Sequence, residues 1–466
     1  MRANLAFEVS PAQIAKWLSC KEVDGPPITN VVTSSKEATE GSLFVAICGT
    51  YDNGHDYIDD AIKRGAAAIL CEELTDTHGI PCFCVKNSVL GLGQLAHCIA
   101  GQIPHKTIAI TGSFGKSTTK HCLQQLLQPQ YTVHTDNGNY NNQIGVPMTM
   151  LSMPLSTDIL IVELGMNHMS EISYLSTLCE PDLAIITAIG NAHIGELHSL
   201  DNICKAKCEI KDGMHGGPIF IPASEPLLHT FAYPNLLTCG INEEGGDFWL
   251  EVLPGALQAA LHLPTKACLS LSLPTKKMPV IRGLLYSAAI GYSLGLNMEA
   301  MLAKVGECDM PAGRQEFMQL YGITIIDDAY NASPESVDAA LALLYDTPCC
   351  SKKYILFGDM LELGDKSTAL HEKVGERIAQ YQFDRLYCIG SGAKITAQSA
   401  IRHGMDETAV TFWENDAAMP NVIDHIVARI EPGDILLVKG AHNSGIKGAV
   451  ALCKSKLKER YEYEGE

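Results

Sequence analysis

The sequence predicts an α/β protein of three domains, and two observations support this. A chain of 466 residues is longer than one hydrophobic core normally organises, so about three domains are expected. Apolar segments of strand length alternate with helical segments along most of the chain, which is typical of parallel sheets covered by helices. We place the three domains at residues 1–103, 104–310 and 311–466.

The composition limits the classes of partner. With 46% apolar and 19% charged residues, the chain is typical of a soluble globular protein. Its formal net charge of -19 argues against general binding to nucleic acid or anionic lipid, because phosphate-rich partners would be repelled. No apolar run approaches the ~20 residues that span a bilayer, and no targeting segment is apparent. We therefore expect a cytoplasmic protein that binds neither nucleic acid nor membrane.

The first domain begins with a helix signal and continues with short strands. Ser10 can cap a helix in which Pro11 takes the first position and Gln13 completes a capping box. Apolar runs at residues 42–47 and 65–70 predict strands of a small α/β domain. Residues 101–105 are expected to link this domain to the next. The 17 cysteines are scattered without the paired spacing of a zinc site, and we expect reduced, mostly buried thiols.

The central and C-terminal domains are predicted from repeated strand, loop and helix patterns. In the central domain we expect a helix from about Ser117 to Gln128 and strands at residues 107–111, 158–164 and 183–189. Residues 217–280 lack clear periodicity, so no elements are assigned there. The C-terminal domain is expected to be doubly wound, with strands at residues 323–326, 354–357, 385–389 and 434–438.

A glycine-rich loop between the first central strand and its helix is the strongest sign of chemistry. Its residues are Thr111, Gly112, Ser113, Phe114, Gly115, Lys116, Ser117 and Thr118. They end in the Gly-Lys-Ser of a P-loop, in a form two residues shorter than the common one. Backbone N–H groups and the helix dipole would bind phosphate, Lys116 would reach the outer phosphates, and Ser117 would hold Mg²⁺. The alternative is an ordinary glycine turn beside a surface lysine.

Two further polar residues, Glu163 and His193, lie at or after the ends of strands predicted for the central domain. Ligands of open α/β sheets bind beyond the carboxyl ends of the strands, where the P-loop also lies. Glu163 and His193 are therefore predicted Mg²⁺ ligands, although histidine is a softer donor than magnesium usually takes. The alternatives are a solvated strand-end charge for Glu163 and a structural histidine for His193. Lys207 lies on what composition indicates is a solvated helix face, and the residues alone assign it no chemistry.

The C-terminal domain repeats this pattern of polar residues after strands. Asp327 and Asp328 are predicted to follow one strand, Gly358 and Asp359 another, and Lys439 and Gly440 a third. Each group has a plain alternative as part of a solvated loop. Three such groups in one domain favour a second face of the same ligand-binding cleft.

Many segments, in the right order between about residues 30 and 440, resemble the Mur ligases, the ATP-dependent amide ligases of peptidoglycan synthesis. The matching segments are residues 41–46, 52–56, 111–118, 138–147, 163–168, 171–172, 191–193, 205–207, 312–316, 327–334 and 358–364. Residues 327–334 and 358–364 are similar to the branch that adds D-alanyl-D-alanine. The Asp-Asn-Pro-Arg signature of the branch that adds the third amino acid is absent from the sequence.

The resemblance implies the three-domain Mur ligase architecture. A small N-terminal α/β domain would bind UDP-N-acetylmuramoyl-tripeptide, a central P-loop parallel-sheet domain would bind ATP, and a C-terminal Rossmann-like domain would bind D-alanyl-D-alanine. The γ-phosphoryl group of ATP would pass to the peptide carboxylate, and the dipeptide amine would then displace phosphate from the acyl phosphate. We expect a monomeric ligase of the acid–D-amino-acid class.

The resemblance also implies roles for individual residues. The residues implied to contact phosphates or the nucleotide are those of the loop at 112–118, including Lys116, together with Arg314, Asp328 and Asn331. The residues implied to serve magnesium, for which we expect two ions, are Ser117, Glu163, His193 and Lys207. Lys207 matches the lysine that becomes carbamylated in this family. Catalytic roles are expected for Lys116, His193, Lys207 and Arg314.

Three segments depart from the family pattern. The sequence has Ser34-Ser35-Lys36 where the family usually has Asp-Ser-Arg, and 439–442 replaces Lys-Gly-Ser-Arg with Lys-Gly-Ala-His. Residues 282–287 lack the histidine and asparagines that normally meet the nucleoside. Two other functions stay open: a Mur-type amide ligase with another acceptor, such as a different peptide or polyglutamate, and a nucleotide-binding regulator that has lost turnover.

Selection for ATP over GTP is expected to be weak. Because residues 282–287 lack the usual contacts to the nucleoside, we expect a preference of about tenfold, or about 1.4 kcal/mol. Comparing kcat/KM for the two nucleotides measures it. A preference above about a thousandfold would show that other residues read the base.

Overall fold

The computed structural model describes most of the chain as two compact units. The described residues are 1–50, 52–73, 77–136, 138–242, 246–253, 255–308, 313–349, 351–414, 418–441, 444–446 and 448–463. The first unit comprises Met1–Thr187 and Cys204–Cys308, and the second comprises Ala188–Ile203 and Asp309–Glu466. Within the described ranges, the larger strands belong to three sheets. No helix in those ranges is both long and apolar enough to cross a membrane.

The N-terminal sheet of the first unit has the strand order β1-β2-β3-β4-β5, with β1 antiparallel and the others parallel. Its strands are β1 (Arg2–Val9), β2 (Ile28–Val32), β3 (Ser42–Val45), β4 (Ala66–Cys71) and β5 (Cys82–Cys84). The accompanying helices are α1 (Pro11–Leu18), α2 (Ile58–Lys63) and α3 (Ser88–Ala100). The predicted cap of α1 is confirmed, because Ser10 Oγ accepts from the Gln13 N–H at 3.2 Å.

The second sheet of the first unit carries the P-loop strand at its centre. Its strands are β6 (Lys106–Thr111), β7 (Val133–His134), β8 (Ile159–Glu163), β9 (Leu183–Ile186), β10 (Ile219–Pro222), β11 (Leu236–Ile241), β12 (Phe248–Val252), β13 (Gln258–His262) and β14 (Cys268–Ser272). The order is β14-β13-β12-β11-β10-β9-β6-β8-β7. The sheet is parallel from β7 to β12, but β13 and β14 pair antiparallel. The predicted parallel sheet is confirmed from β6 to β9, and the antiparallel strands β13 and β14 lie in the segment 217–280, for which no elements were predicted.

The helices that follow in the chain begin with the predicted P-loop helix. They are α4 (Lys116–Leu127), α5 (Gly145–Leu151), α6 (Glu171–Cys179), α7 (Ile194–Leu197), α8 (Leu200–Cys208), α9 (Met278–Ser293) and α10 (Met298–Leu302). Helix α4 confirms the helix expected from Ser117 to Gln128. Strand β9 ends at Ile186, earlier than the predicted end at residue 189.

The register of the second sheet places three strand ends together. On one side of β6, Ile110 pairs with Glu163 of β8, and on the other side Thr111 pairs with Ile186 of β9. These strands are buried along nearly their whole length, as expected for parallel strands covered on both faces. The residues that follow them therefore meet at one edge, where the P-loop begins.

The second unit contains a mostly parallel sheet of order β15-β16-β20-β17-β18-β19. Its strands are β15 (Glu316–Leu320), β16 (Ile323–Asp328), β17 (Lys353–Gly358), β18 (Arg385–Ile389), β19 (Val410–Trp413) and β20 (Ile435–Lys439). Its larger helices are α11 (Pro334–Asp346), α12 (Ser367–Tyr381), α13 (Ser391–Arg402), α14 (Met419–Val427) and α15 (Ala449–Lys458). Asp327, Asp328 and Lys439 were expected after strands. They are instead the last residues of β16 and β20, where Asp328 pairs with Lys439.

Candidate functional site

The loop between β6 and α4 is fastened by the strands on either side of it. Thr111 Oγ1 donates to the Leu164 carbonyl, at 2.8 Å, just beyond β8. Thr187 Oγ1, just beyond β9, donates to the carbonyls of Thr111 and Phe114. The neighbouring strand ends thus fix both the start and the middle of the loop.

Two glycines give the loop its course. Gly112 and Gly115 have φ angles of 140° and 86°, in the region that glycine enters far more easily than other residues. Ser113 and Thr118 are buried, and Lys116 Nζ donates to the Gly112 carbonyl at 2.6 Å. The lysine therefore lies against the loop from which phosphate would be bound, as the P-loop interpretation predicts.

The predicted pair of Ser117 and Glu163 is brought together at this edge. Ser117 Oγ donates to Glu163 Oε2 at 3.0 Å, and only 1% of Glu163 is exposed. A solvated strand-end charge is therefore the wrong interpretation of Glu163. Glu163 Oε1 lies 3.0 Å from Lys120 Nζ in a buried ion pair.

These groups fit a magnesium ion that is held together with phosphate oxygens. Ser117 and Glu163 supply hard oxygen donors, and Glu163 Oε1 is a buried acceptor with spare capacity. Within the described ranges, no group of three or more His, Cys, Asp or Glu side chains could hold a metal by itself. Magnesium commonly takes one or two protein ligands and completes its shell with phosphates and water, which is what this edge provides for.

Lys207, on α8, is buried rather than solvated, which corrects the expectation from composition. Its exposed fraction is 0%, and its Nζ finds no hydrogen-bond partner among the described residues. Burial is the main reason that the pKa of Lys207 lies well below the ordinary lysine value, and the positive charge of Lys116 lowers it further. Such an environment favours the uncharged amine.

The chain after Lys207 is fixed against α6. The Glu209 carboxylate accepts from the backbone N–H groups of Ser170 and Ser173, at 2.9 and 3.3 Å. Gly213 donates its N–H to Ser176 Oγ, and a Cβ at Gly213 would lie 2.1 Å from the Ser176 carbonyl oxygen. Helix α6 therefore determines where the Lys207 segment can lie.

The second unit brings three of the other predicted residues to one region. Lys439 Nζ lies 2.8 Å from Asp328 Oδ2 and donates to the Asn331 carbonyl at 2.7 Å. The Arg314 guanidinium stacks on the Tyr330 ring at 4.1 Å, a cation–π contact. Burial raises the pKa of Asp328, and the ammonium of Lys439 opposes this change.

His193 also lies in the second unit, on a backbone with φ of 64°. Its Nδ1 is 2.6 Å from Glu362 Oε2. The contact brings a carboxylate beside the imidazole, an arrangement that is common for histidines that act as metal ligands. Glu362 was not singled out by the sequence analysis, although it lies in the 358–364 segment that matched the family.

The fold and the phosphate loop together define a nucleotide-binding α/β protein of the P-loop class. Family models match the chain in three places: the Mur ligase family, catalytic domain at residues 27–91, the Mur ligase middle domain at 110–259, and the Mur ligase, glutamate ligase domain at 313–442. The chain belongs to the Mur ligase family. It is 30% identical to the UDP-N-acetylmuramoyl-tripeptide--D-alanyl-D-alanine ligase of Bacillus subtilis, over 91% of this chain and 92% of that protein.

Solved structures agree with this assignment. A crystal structure of MurF from Acinetobacter baumannii has a TM-score of 0.85 and 27% identity, covering 97% of this chain and 99% of that one. MurF ligase from Thermotoga maritima in complex with ADP has a TM-score of 0.80 and 27% identity, covering 92% of this chain and 98% of that one.

Replacing Lys116 by alanine tests the phosphate loop. The variant loses a charge-assisted contact that tightens as negative charge develops, so ATP turnover should fall by about 10²–10³ with the fold intact. Steady-state rates and thermal unfolding measure the two effects. Lys106→Ala, an exposed lysine at the start of β6, is the control and should behave as wild type. Near-normal turnover by Lys116→Ala would contradict the assignment.

Proposed function

We propose that this chain is an ATP-dependent amide ligase that adds D-alanyl-D-alanine to UDP-N-acetylmuramoyl-tripeptide in cytoplasmic peptidoglycan precursor synthesis. The observation that carries the proposal is the similarity, along nearly the whole chain, to ligases that bear this name. The phosphate loop with its buried Glu163 supports it, because the same chain has kept the groups that ATP chemistry needs.

We assign the substrates to three regions of the chain. Residues 1–103 would bind the UDP-linked peptide, 104–310 would bind ATP, and 311–466 would bind the incoming dipeptide. The family models match within each of these ranges, which supports the division. The protein would act as a monomer in the cytoplasm, where its nucleotide-linked substrate is made.

The proposed reaction needs no covalent nucleophile from the protein. A carboxylate oxygen of the tripeptide attacks the γ-phosphorus of ATP, the bond to the β–γ bridging oxygen breaks, and ADP leaves with the electron pair. The amine of D-alanyl-D-alanine then attacks the acyl carbon, loses a proton to water, and phosphate leaves. The chain supplies positioning and charge neutralisation: Lys116 and Arg314 hold phosphates, and Asp328 and Asn331 hold the nucleotide.

Ser117, Glu163, His193 and a modified Lys207 are the proposed magnesium ligands, for two ions. Magnesium, when bound, neutralises phosphate charge as it is transferred. Of these residues, Ser117 and Glu163 touch each other within the first unit. His193 belongs to the second unit, and its part in metal binding rests on the family match and on its contact with Glu362.

The modification proposed for Lys207 is a carbamate. The ammonium first loses a proton; the uncharged amine then attacks CO₂, a C–N bond forms and a second proton is released, so that a cation becomes an anion with two oxygen donors. Burial and the neighbouring Lys116 lower the pKa of Lys207 and thus supply the uncharged amine that this step requires. The product would attract Lys116 rather than repel it, and magnesium prefers such oxygens.

A nucleotide-binding regulator without turnover is the second candidate, and one observation favours it. Tyr286 occupies the segment 282–287, where the family has side chains that meet the nucleoside. Its hydroxyl is buried and points at the carbonyls of Ile186 and Thr187, at 3.5 and 3.4 Å, so it is engaged inside the first unit. A ligase with another acceptor would share every feature of the phosphate site.

Phosphate release separates these functions. Release from ATP should require both UDP-N-acetylmuramoyl-tripeptide and D-alanyl-D-alanine, because the acyl phosphate turns over only when the amine attacks. Assays that omit each substrate in turn are the controls. Release that is indifferent to the dipeptide would rule out the proposed acceptor, and binding of ATP without any release would favour the regulator.

Substitutions of Lys207 test the carbamate. Lys207→Ala should be inactive and regain part of its rate with a small carboxylic acid such as acetate, because acetate can occupy the space of the missing carboxylate. Lys207→Met fills that space without a carboxylate, so it should be inactive and acetate should not restore it. At fixed dissolved CO₂, a ¹³C carbamate signal in the wild type should grow as pH rises, because more of the amine is uncharged. Full activity of Lys207→Ala would contradict the proposal.

A further inference from the structure

Lys120 is a second lysine of the P-loop helix, one turn after Lys116, and it points into the protein. Only 6% of it is exposed. Its Nζ donates to Asp136 Oδ1 at 2.8 Å, to the Asp136 carbonyl at 3.2 Å and to the Gly138 carbonyl at 3.0 Å. Its three N–H groups therefore all have partners in the segment that starts at Asp136.

Lys120 also contacts the Glu163 carboxylate. The two charged groups are 3.0 Å apart in a buried ion pair. Glu163 is thus held on one oxygen by the Ser117 hydroxyl and on the other by the Lys120 ammonium. Together the two contacts fix the direction of the carboxylate beside the P-loop.

Asp136 links Lys120 to the segment that follows β7. Its second oxygen, Oδ2, accepts from the backbone N–H groups of Gly138 and Tyr140, at 3.0 and 3.2 Å. The same carboxylate therefore anchors both Lys120 and the loop at 138–140. The hydrogen bonds to Asp136 and Gly138 hold the Lys120 ammonium independently of Glu163. Lys120 would therefore stay in place when the Glu163 carboxylate bound a cation.

We propose that Lys120 is a positioning residue for magnesium binding: its ammonium keeps the Glu163 carboxylate aimed at the P-loop while the Asp136 loop holds Lys120 itself. This role rests on the proposed function, since it presupposes a nucleotide with Mg²⁺ at the P-loop. A lysine that only stabilised the fold would affect nucleotide binding equally with and without Mg²⁺. A positioning lysine would affect chiefly the part of the affinity that Mg²⁺ adds.

The test is the affinity for ADP measured by calorimetry, in EDTA and in excess Mg²⁺, for the full chain. In Lys120→Met the gain in affinity on adding Mg²⁺ should shrink by about tenfold or more, as for other residues that support a metal ligand. The ADP affinity of Lys120→Met in EDTA should stay within about threefold of wild type. The control Lys106→Met should stay within about threefold of wild type both in EDTA and in excess Mg²⁺. An unchanged Mg²⁺ gain in Lys120→Met would overturn the proposal.

Two further variants separate Glu163 from the loop and guard against misfolding. Asp136→Asn weakens the hold of the loop on Lys120, so its Mg²⁺ gain should also fall, but by less than in Lys120→Met, which removes the ammonium itself. A larger loss in Asp136→Asn than in Lys120→Met would show that the loop acts without Lys120, which also overturns the proposal. If Lys120→Met does not fold, Lys120→Arg replaces it. Lys120→Arg keeps the positive charge, but its planar guanidinium cannot direct N–H donors to the converging oxygens of Asp136 and Gly138. Its gain in ADP affinity on adding Mg²⁺ should therefore still fall. A wild-type gain in Lys120→Arg would count against the proposal.

The wild-type protein separates this proposal from the proposed function. If wild type bound ADP no better with Mg²⁺ than without, the nucleotide site itself would be wrongly assigned, and the role of Lys120 would fail with it. If wild type showed the gain and Lys120→Met matched it, only the role of Lys120 would fail.

Discussion

One constraint determines how the charged side chains of the first unit are arranged. Water is excluded from the carboxyl ends of β6, β8 and β9. A charge that leaves water is strongly unfavourable unless it is paired or neutralised, and this edge contains both carboxylates and lysines. Glu163 is paired with Ser117 and Lys120, whereas the Lys207 amine has no hydrogen-bond partner among the described residues and a lowered pKa. The geometry of the P-loop and the arrangement of these charged side chains therefore depend on one another.

The second unit applies the same constraint with different residues. Asp328 and Lys439 end adjacent parallel strands and neutralise each other, and Lys439 also secures the turn at Asn331. The loop that leaves β16 is fixed from the strand beside it, much as the P-loop is fixed by Thr111 and Thr187. In each unit, the polar groups that could take part in chemistry are the ones already fixed in place at the ends of the strands.

Local sequence signals predicted the parts of the structure that depend on neighbours in the chain. The cap at Ser10, the helix after Lys116 and most strands of the parallel sheets were found because capping and hydrophobic patterns act over a few residues. The hairpin of β13 and β14 was missed, because its strands lie in a segment without clear alternation. The predicted β16 was also too short, and the predicted β20 began and ended one residue early, since Asp328 and Lys439 are polar residues that stay in the ladder by pairing with each other.

The site was predicted less completely because its partners lie far apart in sequence. Ser117 and Glu163 are 46 positions apart, and only the order of parallel strands suggested that they meet. For Lys120 the residue type alone indicates a solvated charge, although the side chain is buried, and Glu362 is an exposed charge whose partner His193 lies far away in the sequence. The spacing of Lys116 and Lys120, one helical turn apart, was the available signal, but its meaning depends on knowing that the helix is buried on that side.

The approach of Gly213 to helix α6 has a consequence for how this protein can vary over evolution. The atoms that a side chain would strike there belong to the backbone of Ser176 and Thr177, which cannot turn aside as a flexible side chain can. Position 213 is thus closed to the other amino acids as long as α6 keeps its place. Residues of substrate-facing loops can be replaced when neighbouring residues change with them. Gly213 has no chemical role, and it would still be among the last residues to change.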